Sequence, residues 1–596
     1  MEYPTLKVRK KYRQMTDDFR GYNHNLRIGE GEFFDMKNMT SDYYPVLAPR
    51  GKRGVYAAPA KPTGLIAKDA LCYVDGSKFV INEYEVDMGL NDEPKQLISM
   101  GAYVIIMPDK KWINTQCWEK EGVFNTVDGT GNIEAFFDSK ESGQDVTFSL
   151  CTIDGASRDV KYHGANEPNE TDNPELKNMD LWIDESTKPH TLRQYSQSSK
   201  TWVQIATTYI KISCPGIGAA FNQYDGVNIS GIQAAELQDL NASMVIWEKS
   251  DNYIVVVGIL DAVTTQSAAD GAIRVERAMP EMDFVIESEN RLWGCRYGVA
   301  ANGEVVNEIY ASKLGDFKNW SCFMGLATDS YAASCGTDGQ FTGAITHMGY
   351  PLFFKENFVH KVYGNYPANF QIQTTACNGV QRECHKSLAI VNSTLLYKAR
   401  SGVMAYDGSL PTSVSYALGN EAYSNAVGGA HDNKYYISMQ DARGENHLFV
   451  YDMAKGMWHR EDDLRVDCFC SCRGELYAIS GGKILTMLGL GEKDTAPVEW
   501  MAQTGPIGTD TPDMKYISRL TVRMSMEVGA KVRFLAQYDS MGDWKQICSI
   551  TGTNLRSFSV PIQPRRCDHF RLRIEGEGEA RIYSITKTIE QGSELS

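Results

Sequence analysis

The chain of 596 residues lacks most of the signals that assign a function at sight. No apolar run approaches the ~18–20 residues needed to cross a bilayer, so no membrane segment is expected. The opening MEYPTLKVRKKYRQ is basic but has no apolar stretch of the kind found in a secretory leader. Neither GxGxxG after a strand nor GxxxxGK[ST] occurs, which removes both common phosphate-cradling loops; no cofactor is expected. HExxH and GxSxG are missing as well. The ten histidines are scattered, none three or four residues from another, so no metal centre is expected. His163 and His190 read as solvated loop residues. Helical periodicity is scarce, and its best example, Ile232–Leu240, is short.

What is present is ordinary globular composition, 42% apolar and 23% charged, which excludes global disorder. The balance of 60 basic and 75 acidic residues gives a net charge of −15, against a simple nucleic-acid binder. Tyrosine (31), phenylalanine (22) and glycine (52) are plentiful, as in strands joined by tight turns. The 14 cysteines lie mostly in strand-like patterns and read as reduced core residues of a protein made in a cytoplasm. Cys468, Cys470 and Cys472 fall on one face of a strand, and three thiols in a row make a poor tetrahedral cage.

An apolar strand, a tight turn and a second strand recur at 71–85, 102–114, 290–298, 351–364, 393–408, 433–462 and 474–487. Beyond residue 290 the spacing is about 40 residues, that of a four-stranded propeller blade. The expected fold is all-β: a β-propeller of six or seven blades over 61–114 and 281–490. An inserted β region would occupy 115–280, and a C-terminal β-sandwich 497–596, where Val532, Phe534, Ala536 and Tyr538 alternate with Lys531, Arg533 and Gln537. Residues 1–60 read as an arm and entry strand that could close the ring or reach a neighbouring subunit. Charge is divided unevenly. Residues 119–190 hold 16 acidic and six basic side chains, whereas 511–590 hold nine and 13.

Paired carboxylates could support glycoside hydrolysis, but spacing in sequence does not reveal a pair held across a cleft. YDMAKGMW (451–458) and YDSMGDW (538–544) only approach the Asp-box form SxDxGxxW. Their aspartates read as turn caps and their tryptophans as packed at the start of the next strand.

The segment FFDMKNMTSDYYPVLAPRGKR (33–53) resembles a recurring opening in bacteriophage tail proteins. NEIYASKLGDFKNW (307–320), DSYAASCGTDGQFTGA (329–344) and the end of the chain from 564 to 593 are similar to other parts of them. The resemblance covers the arm, the blades and the C-terminal region, and not the insertion. It implies a structural virion protein of the tail-hub, tail-nozzle or packaged-DNA-stabilisation type, located in the virion tail, assembled in the bacterial host cytoplasm, and not an enzyme. It implies a homo-oligomeric ring, a hexamer favoured, that meets adaptor and portal-side proteins, carries fibres or spikes, and passes DNA without sequence-specific binding. Phe34, Asp35, Asn38, Tyr44, Pro45 and Arg50 are the expected contact residues of the arm, toward another subunit or within the ring. No catalytic residue is carried over. The acidic 119–190 stretch is a candidate for lining the channel, where basic walls would hold DNA. A host-recognition module stacking sugars on Trp182, Trp202 and Trp247 is the alternative, and a propeller glycan hydrolase a third.

Overall fold

Hairpin turns set the architecture. In four of the recurrent units the turn between first and second strands places two successive residues at positive φ: Glu289-Asn290, Met348-Gly349, Asn392-Ser393 and Arg473-Gly474. Such turns match the twist of the flanking strands. The computed structural model describes residues 11–299, 303–493, 496–510, 514–552 and 554–591.

The seven units become seven antiparallel blades of four strands each, the last with a short fifth strand, Glu492–Lys493, on its outer edge. Blade 1 runs from Pro62–Ala67 to Tyr84–Asp87, and blade 2 from Gln96–Met100 to Thr130–Asn132. Blade 3 spans Phe284–Ser288 to Tyr331–Ser334, blade 4 Phe341–His347 to Gln371–Ala376, and blade 5 Ala389–Val391 to Thr412–Ser413. Blade 6 comprises Tyr423–His431, Lys434–Asp441, Asn446–Asp452 and Met457–Arg460. Blade 7 takes three strands from Cys468–Cys472, Glu475–Ser480 and Lys483–Thr486, and its fourth from the arm, Gly54–Ala57, with Val55 opposite Leu485. The arm therefore closes the ring.

First strands of successive blades lie side by side around the axis, and an apolar layer fills each joint. Val74, Phe79, Val104 and Ile113 join blades 1 and 2. Trp293, Ile309, Phe341 and Phe353 join 3 and 4. Leu65, Leu71, Cys472 and Ile479 join 7 back to 1. Cys468 and Cys470 pack on that last layer, so the three-thiol strand belongs to a blade joint. All described cysteines are free thiols. Glycines permit the closest approaches. A Cβ on Gly429 would lie 2.5 Å from Phe469 Cβ in blade 7, and one on Gly343 2.9 Å from Leu388 Cδ1 in blade 5.

The insertion begins later than its composition indicates. Thr130–Asn132 is the outer strand of blade 2, so inserted strands run from Ala135–Asp138 to Arg274–Arg277, not from 115. That outer strand, Thr-Gly-Asn, is too short to alternate. Two sheets enclose a core of Phe148, Ile210, Val227, Ile254 and Val275, and a third, small sheet covers 162–204. The base is fixed by polar groups. Buried Arg277 bonds Asp225 and the Ile133 carbonyl (3.0 Å), and Asn319 of blade 3 accepts from the Gly226 amide. The helical candidate is a 3₁₀ turn, Ala235–Leu240, with Leu237 and Leu240 inward.

The C-terminal region is a sandwich. One sheet has the order Lys11–Thr16, Ala580–Gln591, Lys515–Met526, Arg556–Val560. The other contains Glu499–Thr504, Phe570–Glu577, Lys531–Tyr538 and Met541–Thr551. Val532, Phe534 and Ala536 face the core as alternation predicts, and Tyr538 is half-buried. The second sheet does not stop there. Glu32–Lys37 pairs with Glu499–Thr504, Gly21–Tyr22 pairs with Glu32–Lys37, and Tyr22 pairs with Trp458 of blade 6. Propeller and sandwich thus share one ten-stranded sheet, with the arm at its middle.

Candidate functional site

The arm crosses three surfaces, and the segment that carries the resemblance lies where they meet. Asn38 is buried and has a φ of 56°. This is a left-handed position that asparagine tolerates. Its amide nitrogen donates to the Glu499 carbonyl (2.8 Å), and its side-chain oxygen accepts from Arg50 Nε (2.9 Å). Beside it, Arg53 donates to Glu461 Oε2 and Asp462 Oδ2, both at 2.6 Å, while Arg50 lies 3.4 Å from Asp462. Burial works against the Asp462 charge, but Arg53 and Arg50 outweigh it and hold the carboxyl below its usual range. This network ties the arm to the strand end of blade 6 and to the sandwich.

Asp35 pairs with Arg460 of blade 6 at 3.0 Å. Phe34 stacks on His24 (4.2 Å between centroids), with the Arg571 guanidinium 4.9 Å from its ring centre. Tyr44 and Pro45 are exposed, next to Tyr43, which lies under Arg581 at 4.1 Å. Of the six expected contact residues, Phe34, Asp35, Asn38 and Arg50 make contacts within the chain. Tyr44 and Pro45 are exposed, yet they too hold the arm to itself, Tyr44 bonding Asp18 and the Pro45 carbonyl accepting from the Phe19 N–H (3.2 Å).

A cavity of about 590 Å³ opens between the arm and the sandwich, lined by Phe19, Phe33, Ile507, Leu572 and Ile585. Arg27, Glu30, Glu32 and Asp510 share its wall, and buried Lys587 bonds Glu30 there at 2.6 Å. Behind Arg50 a second hollow of about 470 Å³ runs past Leu488, Val528 and Glu579.

One short turn links several blades. The 3₁₀ turn His385–Ser387 before blade 5 touches blades 4 and 6. It also reaches two blades away on either side. The His385 ring meets Phe284 of blade 3 at 5.3 Å, and Lys386 Nζ donates to the Asp467 carbonyl at the entry to blade 7 (3.0 Å).

The insertion does not present the expected sugar platform. Trp182 and Trp202 are core residues whose indole N–H groups donate to the carbonyls of Gly164 (3.0 Å) and Pro168 (2.8 Å). Trp247 is half-buried between Tyr209 and Tyr224. His163 is exposed, and His190 meets Asp261 at 2.9 Å. Asp441, Glu445 and His447 form the one carboxylate–imidazole group among the described residues with liganding atoms this close. Asp441 is occupied there by the backbone N–H groups of Arg443 and Glu445 (both 2.9 Å) and by His447 (3.2 Å), which keep its carboxyl well below the usual range despite the cost of burial. Asp452 caps its turn and Trp458 is buried, as read from YDMAKGMW. Trp544 is not packed inward; it lies half-exposed under Arg573 at 4.6 Å.

No family model matches the chain, and no curated protein does. Among solved structures it is similar to an exo-β-1,3-galactanase from Phanerochaete chrysosporium (9% identity, 51% of this chain and 94% of that one, TM-score 0.19). It is also similar to the acylaminoacyl peptidase of Pyrococcus horikoshii (10%, 52% and 48%, TM-score 0.23) and to a mutant Trypanosoma rangeli sialidase (9%, 75% and 94%, TM-score 0.14). These neighbours are enzymes, so the expectation that the chain is not an enzyme is withdrawn. At such identities and TM-scores the likeness carries no substrate and no residue role to this chain.

Proposed function

We propose that this chain is a structural subunit of a bacteriophage tail, a hub or nozzle protein that forms a ring, six copies favoured, below the portal and adaptor proteins. The observation that carries the reading is the placement of segment 33–53. The residues that resemble tail proteins are those that bind propeller, arm and sandwich together through Asn38, Arg50, Arg53, Glu461 and Asp462. A part that must hold its shape under internal pressure benefits from such a joint. The DNA path in such a ring runs between subunits and not through a propeller. DNA then passes without sequence-specific binding, and adaptor, fibre or spike proteins take the outer faces. The burial of Trp182 and Trp202 gives the glycan-binding alternative no support.

Electron cryomicroscopy of tails containing this chain tests the proposal. The expected result is a ring of propellers around an axial hole. A chain that stays monomeric and is absent from assembled tails overturns it.

A further inference from the structure

The outer face of the shared sheet carries an unusual pair of arginines. Arg571 and Arg573 alternate with buried Phe570, Leu572 and Ile574, so both point away from the core. Each guanidinium lies over an aromatic ring, Arg571 over Phe34 at 4.9 Å and Arg573 over Trp544 at 4.6 Å. Arg573 is otherwise engaged, donating to Gln503 Oε1 at 2.7 Å. Arg571 makes no hydrogen bond or ion pair among the described residues, and its Nε is buried and unsatisfied; the nearest carboxylate that acts on its charge, Asp35, is paired with Arg460. A guanidinium held over a ring by its central carbon can still offer N–H groups to a carboxylate in fork geometry. Leaving it unpaired is costly, so the geometry asks for an anion.

The same chain displays one. The run 164–176, GANEPNETDNPEL, contains four carboxylates and no basic residue. Glu167, Glu170, Asp172 and Glu175 are all exposed. Glu170 is taken by Lys200 (2.8 Å) and Asp172 by Asn169, but Glu167 and Glu175 have no partner among the described residues. Two unpaired carboxylates and an unpaired guanidinium occur in one molecule without meeting.

We propose that the Arg571 face of one copy receives the acidic 164–176 loop of a second copy. Different patches meet, so the contact is head-to-tail, the type that closes into a ring when the rotation permits. It rests on the ring reading above and specifies a contact for it. The aromatic floor of Phe34 and Trp544 excludes water from the ion pairs and strengthens them.

A charge swap in the full-length chain tests the proposal, with self-association followed by analytical ultracentrifugation at low and high ionic strength. Arg571→Glu alone and Glu167→Lys with Glu175→Lys are each expected to weaken association by about tenfold or more. Mixing the two variants is expected to restore it, because each then offers the complement of the other. Arg571→Gln, which removes charge without reversing it, is expected to fall between, and near-ultraviolet circular dichroism checks that each variant is folded. Association that ignores these changes, or a wild-type chain that never self-associates, overturns the contact. Binding of a short DNA duplex lost in Arg571→Glu but kept in the loop variant assigns the face to phosphate instead, and also overturns it. Rings that persist in both variants remove this contact and leave the tail reading intact; absence from tails removes that reading independently.

Discussion

Arg53 faces two carboxylates in a site that water barely reaches, so its removal is expected to cost more than a surface ion pair. Breaking a buried pair from one side strands the remaining charge, typically at about 3–5 kcal/mol. Arg53→Met should lower the denaturation midpoint accordingly, by chemical unfolding. It should also flatten the acid limb of the stability profile. Asp462 is held below its ordinary pKa, so its contribution is complete above that value and lost as pH falls through the lowered one. His360 acts in the same direction for a different reason. It is buried between Thr337 and Thr374, both at 2.9 Å, and burial, aided by Lys355, pushes its pKa down to about 4. From pH ~6.5 to ~4 the unfolded chain binds a proton that the folded one refuses, so stability falls with pH by up to about 3 kcal/mol. His360→Gln should show a shallower decline in unfolding titrations run across that range.

At the scale of elements, the glycines of the inner strands decide how closely blades approach. A side chain at Gly429 meets Phe469 of the next blade. Gly429→Val is expected to cost about 1–3 kcal/mol by overpacking. The same change at solvent-open Gly456 should cost mainly through its positive φ of 65°. Thermal unfolding of the two variants separates joint packing from backbone strain. The middle strands of all seven blades were legible in the sequence, because each is a short run rich in apolar and aromatic residues that ends in turn-forming residues. The outer strands were not. Thr130–Asn132 and Thr412–Ser413 are too short to alternate, and Gly54–Ala57 joins its blade from the far end of the chain. Asn38 and Arg50 stood out through resemblance, yet their partners Glu461 and Asp462 carry no local signal, since only the closed ring brings them together. Trp182 and Trp202 misled because a sequence records an indole's presence and not its burial.

For the whole molecule, the ten-stranded sheet makes propeller and sandwich one mechanical unit, while the insertion has its own core. Scanning calorimetry should therefore show one transition for propeller and sandwich together and a separate one for the insertion. Two resolved transitions from the propeller and the sandwich would contradict the shared sheet as a cooperative element. The insertion also enters and leaves at neighbouring points, with Arg277 Nε bonded to the Ile133 carbonyl at 3.0 Å. Replacing 135–277 by a short glycine linker should leave a folded propeller, measured by circular dichroism and gel filtration.

The woven arm also sets an order of events during synthesis. Gly54–Ala57 leaves the ribosome about 430 residues before its partner strand Lys483–Thr486. The partner of Lys11–Thr16, Ala580–Gln591, comes later still. At about 5–20 residues per second the waits are on the order of 20–90 seconds for the first pair and 30–110 seconds for the second. Throughout them the arm's pairing edges are unsatisfied and open to wrong partners, including the arms of other nascent chains. The basic residues Lys11 and Arg13 belong to this waiting strand. Like charges on two such strands repel, which works against pairing between the arms of two chains.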